Sequence, residues 1–190
     1  MPADDFVVTP WNVEGDIDYD KLIKRFGTQK ITPDLLSKIE KFTNESHFML
    51  RRGIFFSHRD LNRLLDDYEK GKKFFLYTGR GPSGHTHIGH LVPWVFAKWL
   101  QDKFGAKMYF QLTDDEKFWA KKDMTLEQTS KFALENALDF IALGFKPENT
   151  KIIIDTKNIK TLYPIAAEVA KRINFSNTKA VFGFKNETNV

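Results

Sequence analysis

The sequence predicts an α/β protein in which a parallel sheet with connecting helices follows a mainly helical N-terminal extension. Short apolar segments at 73–78, 107–113 and 151–155 are typical of strands. A helix-like segment at 88–104 lies between the first two strands, and a strand–helix–strand order implies parallel pairing. Aromatic residues make up 14% of the chain, so we expect a core rich in rings.

The composition excludes several classes of protein. The 190 residues contain no cysteine, which removes disulfides and thiolate metal sites. No apolar run approaches the roughly 18–20 residues needed to span a membrane. The acidic segment 1–10 lacks the pattern of a signal peptide, so we expect a cytoplasmic protein. The net charge of +4 permits contact with nucleic acid or a polyphosphate but does not by itself indicate either.

Helix signals before the first clear strand define the N-terminal extension, which is predicted to span 1–71, with the sheet-forming domain at 72–190. A short arm or hairpin around 6–8, packed by Trp11, is expected first. Three helices follow: one at 18–26 that Gly27 ends, one from the cap Thr32 to near Asn44, and one that Ser57 and Asp60 start and Gly71 ends.

Two further helices are predicted in the sheet-forming domain. Thr125 and Gln128 have the spacing of a capping box and start a helix that Gly144 ends. After the third strand, a helix is expected from about 160 to 173, with Pro164 near its start. The predicted order is therefore strand, helix, strand, helix, strand, helix.

The stretch from 74 to 90 organises the chain. The apolar run from Phe74 to Tyr77 is predicted to be a buried strand, and it leads into a turn of small residues that precedes a helix start. Strand, glycine-rich turn and helix N-terminus, in this order, form the usual geometry for holding a nucleotide phosphate. The turn residues are Thr78, Gly79, Arg80, Gly81, Pro82, Ser83 and Gly84.

Two histidines lie where this helix is expected to begin. His87 and His90 are three residues apart and share a helix face, with Gly89 between them. Imidazoles and free backbone N–H groups can donate hydrogen bonds to phosphate oxygens, and Gly89 lets a nucleotide approach the backbone. Histidines at this spacing also chelate zinc. Because the chain has no cysteine and the nearest carboxylates belong to another segment, we predict no protein-bound metal.

Polar residues follow each predicted strand. The segment 78–90 follows the first, 114–117 follows the second, and Asp155 follows the third. Ligands of parallel sheets bind beyond the carboxyl ends of the strands, so these segments are expected to converge. Gln111, beside an apolar run within the second strand, needs a hydrogen-bond partner if it is buried.

The string His87-Ile88-Gly89-His90, placed after a strand and opening a helix, resembles the HIGH motif of class I aminoacyl-tRNA synthetases. Two further strings, YTGRGPS at 77–83 and QLTDDEK at 111–117, resemble the eukaryotic-type tryptophanyl-tRNA synthetases. Other stretches resemble that family as well, so that the resemblance runs from about Thr9 to the C-terminus; they lie at 10–11, 18–23, 51–60 and 182–184.

The resemblance implies an incomplete Rossmann-like catalytic fold that activates tryptophan with ATP and Mg²⁺, transfers it to tRNA(Trp) and forms a homodimer. His87 and His90 would be catalytic, stabilising the ATP phosphates. The ATP-binding residues it implies are Thr78, Gly79, Arg80, Gly81, Pro82, Ser83, Gly84, His87, Gly89 and His90. Tyr77 and Gln111 would recognise the indole N–H, Glu116 would lie near the ammonium group, and Thr113 and Lys117 would complete the tryptophan site.

The family's KMSKS-type loop and anticodon-binding domain have no counterpart in these 190 residues. The chain is therefore expected to be a fragment with little or no activity alone. Three alternatives remain open: a tyrosyl-tRNA synthetase, a small nucleotidyltransferase that shares the HxGH motif but uses no tRNA, and a non-enzymatic fragment that binds a protein partner.

Overall fold

The computed structural model describes residues 6–8, 13–15 and 18–182, which form two compact units. One unit contains the described residues up to Lys70 together with the helix Phe175–Phe182. The other unit contains Gly71–Asn174. Every residue predicted to contact ATP or tryptophan lies in this second unit.

The first unit is mainly helical, as predicted, with two small antiparallel strand pairs. β1 (Phe6–Val8) pairs with β2 (Val13–Gly15), which confirms the hairpin, while Trp11 lies outside the described residues. The helices are α1 (Tyr19–Phe26), α2 (Pro33–Thr43), α3 (Phe48–Arg51) and α4 (Leu61–Glu69). The second strand pair joins β3 (Gln29–Lys30) to β4 (Ser57–His58).

Local capping signals located two of these helices correctly and one incorrectly. Thr32 caps α2 as predicted, with its hydroxyl accepting the Leu35 N–H at 3.3 Å. The predicted helix start at Ser57 is wrong, because the backbone of Ser57 pairs with Lys30 in a strand. The helix begins after Asp60, and the Nδ1 atom of His58, rather than Ser57, accepts the first free N–H.

The second unit is α/β as predicted, with a parallel three-stranded sheet, β5-β6-β7, but it has one more helix between the second and third strands than predicted. Its elements are β5 (Phe75–Arg80), α5 (Ile88–Phe104), β6 (Lys107–Leu112), α6 (Asp114–Ala120), α7 (Leu126–Ala142), β7 (Thr150–Ile154) and α8 (Asp155–Ala170). The capping box of Thr125 and Gln128 starts α7 as predicted. Within the described residues, no helix is both long and apolar enough to cross a bilayer.

The core of this unit is rich in rings, as expected. Trp94 of α5, Phe110 of β6 and Phe140 of α7 are almost fully buried. The rings of Phe110 and Phe140 stack with centroids 3.8 Å apart, and Trp94 meets Phe110 edge-on at 5.1 Å. These contacts hold both helices against one face of the sheet.

The opposite face of β5 is exposed, so the prediction of a buried strand at 74–77 is wrong. Side chains alternate between the faces of a strand, and Phe75 and Tyr77 are 64% and 63% exposed on the face away from the aromatic core. Leu76, on the other face, packs against that core. The apolar run therefore marks a half-buried strand whose exposed face carries Tyr77.

The predicted start of the last helix, near 160, is also wrong. α8 begins at Asp155, directly after β7, and Pro164 lies inside it. The backbone N–H of Thr156 in the first turn is accepted by the carboxylate of Asp114, at 3.1 Å. Because this cap comes from a distant segment, the local sequence carries no start signal.

Candidate active site

Tyr77 and Gln111 meet on the exposed face of the sheet. β5 and β6 pair in parallel, with Gly79 opposite Gln111. Tyr77 lies two residues before Gly79, so its side chain is on the same face of the sheet as that of Gln111. The Tyr77 hydroxyl donates a hydrogen bond to the Oε1 atom of Gln111. The two residues predicted to recognise an indole N–H are thus joined directly, 34 positions apart in the chain.

Asp155 completes this cluster from the start of α8. The Nε2 atom of Gln111 donates to both carboxylate oxygens of Asp155, at 2.8 and 2.9 Å. Asp155 is 7% exposed, and this burial, with the charges of Asp115 and Asp114 nearby, raises its pKa to about 6. The sequence placed Asp155 at this edge of the sheet, but its contact with Gln111 depends on the pairing of β6 with β7 and had no local signal.

The glycine-rich turn is anchored to α7 by Arg80 and Asn136. The Arg80 guanidinium donates to the Asn136 Oδ1 atom and to the carbonyl oxygens of Gly84 and His85, at 3.1 and 2.9 Å. The Asn136 amide donates to the Gly84 carbonyl at 3.1 Å. Asn136 is fully buried and was missed by the sequence analysis, although an amide on the buried stripe of a helix is a signal for such a role.

The HIGH histidines cap the helix that they open. The Nδ1 atom of His87 accepts the N–H of Gly89 at 3.2 Å, and the Nδ1 atom of His90 accepts the N–H of His87 at 3.1 Å. A ring nitrogen that accepts a hydrogen bond carries no proton, so the proton of each neutral ring is assigned to Nε2. Both rings therefore present an N–H donor away from the backbone.

Burial favours the neutral form of the His90 ring. The pKa of His90 lies below its ordinary value, chiefly because burial penalises the charged ring and further because Arg80 and His87 add positive charge. The rings of His87 and His90 lie 3.7 Å apart by centroid. At neutral pH, His90 is thus a neutral hydrogen-bond donor.

Lys117 connects α6 to the glycine-rich turn. A Cβ atom on Gly81 would overlap the Cε atom of Lys117. The lysine side chain therefore fills the space that a side chain at position 81 would need. The Lys117 ammonium lies 2.8 Å from one carboxylate oxygen of Glu116, and the Thr113 hydroxyl donates to the other at 2.8 Å. Thr113, Glu116 and Lys117, all predicted site residues, are thus linked through Glu116, and Lys117 contacts the turn.

The predicted residues form one cluster at the carboxyl edge of the sheet, in three parts. The end of β5 and its turn hold Tyr77, Thr78, Gly79, Arg80, Gly81, Pro82, Ser83 and Gly84; the start of α5 holds His87, Gly89 and His90; and the β6–α6 junction holds Gln111, Thr113, Glu116 and Lys117. In the part of the chain that the structure describes, no three His, Asp or Glu side chains are grouped to bind a metal ion.

Residues 69–187 match the family described as "tRNA synthetases class I (W and Y)". The chain belongs to this family. The match includes β5, the glycine-rich turn, α5 and the segment after β6, which are the parts of the chain that form the candidate site.

Relatives of this class I synthetase are found in archaea and eukaryotes. It is 54% identical over 187 residues to a tryptophan–tRNA ligase of Pyrobaculum calidifontis, covering 98% of this chain and 50% of the relative. It superposes on the tryptophanyl-tRNA synthetase of Plasmodium falciparum with a TM-score of 0.86 at 44% identity, covering 91% of this chain and 48% of that one.

A tryptophanyl-tRNA synthetase from Encephalitozoon cuniculi bound to tryptophan is similar as well. Its TM-score is 0.85 at 40% identity, with 91% of this chain and 51% of that chain covered. This class I synthetase chain therefore spans about half the length of the curated relatives and solved structures that it matches.

Proposed function

We propose that the chain carries the tryptophan- and ATP-binding residues of a tryptophan–tRNA ligase of the type shared by eukaryotes and archaea. In this reaction, a carboxylate oxygen of tryptophan attacks the α-phosphorus of ATP and pyrophosphate leaves. A hydroxyl of tRNA(Trp) then attacks the adenylate carbonyl, and AMP leaves. The similarity to proteins named tryptophan–tRNA ligase supports this substrate.

The hydrogen-bonded pair of Tyr77 and Gln111 carries the proposal. The indole ring of tryptophan has one polar group, its N–H. The Tyr77 oxygen and the Gln111 carbonyl oxygen both have lone pairs free to accept that N–H. A site built around such acceptors rejects a ligand without the donor, because its own polar atoms would then be left unpaired. The amino-acid end would lie toward Glu116, whose carboxylate suits an ammonium group.

The start of α5 supports the ATP half of the proposal. The Nε2–H groups of His87 and His90 and the positive end of the α5 dipole favour negatively charged oxygens. Lys117, which lies across Gly81, adds a positive charge beside the turn. No protein nucleophile is needed, because the substrate carboxylate attacks, and Mg²⁺ would arrive with ATP. Positioning and charge stabilisation are then the protein's contribution.

The partners that follow from this proposal are tRNA(Trp) and a second copy of the chain in a homodimer, in the cytoplasm. Sedimentation of the purified chain measures the dimer directly. Retention on immobilised tRNA(Trp), with an unrelated tRNA as the control, measures the tRNA contact.

Calorimetry with tryptophan, tyrosine and ATP tests the function. We expect tryptophan to bind at least tenfold more tightly than tyrosine, a discrimination of about 1.4 kcal/mol or more. Gln111→Ala should weaken tryptophan binding and leave ATP binding intact, whereas His90→Ala should do the reverse. Each variant thus serves as the control for the other.

The other outcomes distinguish the alternatives. Preference for tyrosine would indicate a tyrosyl-tRNA synthetase, which the matched family also includes. ATP binding without amino-acid binding would indicate a nucleotidyltransferase, and binding of neither would indicate a non-enzymatic role.

A further inference from the structure

We propose that Asp155 is a positioning residue that fixes the direction of the hydrogen bonds through Gln111 and Tyr77, so that the amino-acid site accepts a hydrogen bond from its ligand. The inference deepens the proposed function and rests on it. Asp155 was not among the residues predicted to contact either substrate, and its carboxylate contacts the amide nitrogen of Gln111.

The carboxylate of Asp155 determines which end of the Gln111 amide faces it. An ionised carboxylate can only accept hydrogen bonds, and the two ends of an amide differ because Nε2 donates while Oε1 accepts. Both oxygens of Asp155 lie within 2.9 Å of Nε2. The reversed amide would place Oε1 against two carboxylate oxygens, which is repulsive. Gln111 is therefore held with Oε1 toward Tyr77.

The fixed amide in turn determines what Tyr77 can do. Because Oε1 accepts the Tyr77 hydroxyl proton, the Tyr77 oxygen is left with lone pairs only. A ligand N–H that approaches this pair meets acceptors, and a ligand acceptor meets no donor. Without Asp155, the Gln111 amide could turn over and present its N–H₂ group to the same position, and selection for an N–H ligand would weaken.

The surroundings of Asp155 hold it in place. It is the first residue of α8 and 7% exposed, so its side chain has little room to move. The charged and titratable groups that face it are Asp114 and Asp115 from α6 and Tyr77 from β5. Burial and the negative charges of Asp115 and Asp114 disfavour the carboxylate, and the two hydrogen bonds from Gln111 favour it.

The test compares binding of tryptophan with binding of β-(3-benzothienyl)alanine, in which sulfur replaces the indole N–H. In the wild-type chain, calorimetry should show tryptophan bound at least tenfold more tightly. Asp155→Ala and the nearly isosteric Asp155→Asn should each reduce this ratio several-fold, mainly by weakening tryptophan binding. Lys157→Ala, an exposed change in the same helical turn, should leave the ratio unchanged.

The outcomes separate the inference from the proposed function. If both Asp155 variants keep the wild-type ratio, or lose affinity for both ligands equally, Asp155 has only a structural role and the inference is wrong. If wild type binds both ligands equally, the inference fails while tryptophan binding stands. If wild type binds neither, the proposed function and the inference fail together.

A measurement on the wild-type chain covers the case in which the variants fail to fold. The side-chain amide signals of Gln111, identified by their loss in Gln111→Leu, should shift with pH as Asp155 titrates near pH 6. Amide signals that do not move between pH 4.5 and 7.5 would show that Asp155 does not hold Gln111.

Discussion

Thr156 donates both its backbone N–H and its hydroxyl to the carboxylate of Asp114, so a residue at the start of α6 caps α8. The Ser130 hydroxyl of α7 donates to the same carboxylate at 3.1 Å. Asp114 is fully buried. Three helices thus depend on one carboxylate for their relative position.

Asp114→Ala should therefore destabilise the protein. Three donors lose their acceptor inside the fold, and we expect a loss of about 2–4 kcal/mol in the free energy of unfolding, measured by urea denaturation. Asp115→Ala is the matched control, because Asp115 accepts the neighbouring Glu116 N–H and otherwise faces Asp155, whose ionised form it disfavours, so its loss should cost less than about 1 kcal/mol. Equal losses in the two variants would contradict the role of Asp114.

Gly81→Ala should displace Lys117 without unfolding the protein. The new Cβ would overlap the flexible end of the lysine side chain, which can move away. Lys117, whose side chain is 17% exposed, should then acetylate faster, measured by mass spectrometry after mild acetylation. Gly84→Ala is the control, because its Cβ would meet no atom within 4 Å. Unchanged labelling in Gly81→Ala would contradict the packing of Lys117 on the turn.

His90→Ala should remove two things, a helix cap and an N–H donor. Loss of the cap should cost about 1 kcal/mol of unfolding free energy, and loss of the donor should weaken ATP binding. His90→Asn separates them, because its Oδ1 atom can replace Nδ1 in the cap but no donor reaches as far as Nε2. We expect thermal denaturation to find His90→Asn close to wild type in stability, and calorimetry to find ATP binding weakened in both variants. Wild-type ATP affinity in His90→Asn would contradict the donor role.

Asn136→Ala should loosen the glycine-rich turn. The buried amide accepts from Arg80 and donates to Gly84, and its removal should cost about 2 kcal/mol of unfolding free energy. Hydrogen exchange at the turn amides should speed up in this variant, because the turn loses its contact with α7. Lys131→Ala, an exposed change on the same helix, should alter neither quantity. Unchanged exchange in Asn136→Ala would show that the turn is held by other contacts.

Asp155→Asn should change how stability depends on pH. The pKa of Asp155 is raised from 3.8 to about 6, so the folded state binds its proton more tightly than the unfolded state does. The wild-type chain therefore loses stability from this group as the pH rises from about 4 through 6. The asparagine variant does not ionise, so its stability relative to wild type should increase by up to about 2–3 kcal/mol over that range. Urea denaturation at pH 4.5 and 7.5 measures the difference, and a constant difference would contradict the raised pKa.

The sequence predicted the parts of the fold that depend on neighbouring residues. The caps at Thr32 and Thr125 and the start of α5 at the HIGH string all have signals within a few positions. The start of α8 had none, because its cap, Asp114, is 42 residues away. The contact of Asp155 with Gln111 likewise spans 44 residues and exists only once β6 pairs with β7. Hydrogen-bond partners that are distant in the chain and meet only in the folded protein leave no pattern in the local sequence.

β5 carries both halves of the proposed site on one rigid segment. Tyr77 lies inside the strand and the glycine-rich turn begins at its end, with six residue pairs holding β5 against β6. The distance between an indole ring and an α-phosphate is then determined by strand rise, about 3.3 Å per residue, and not by side-chain flexibility. Insertion of one residue between Tyr77 and Gly81 would shift the register of β5, turn the side chains on one side of the insertion to the opposite face, and so separate the indole site from the phosphate site.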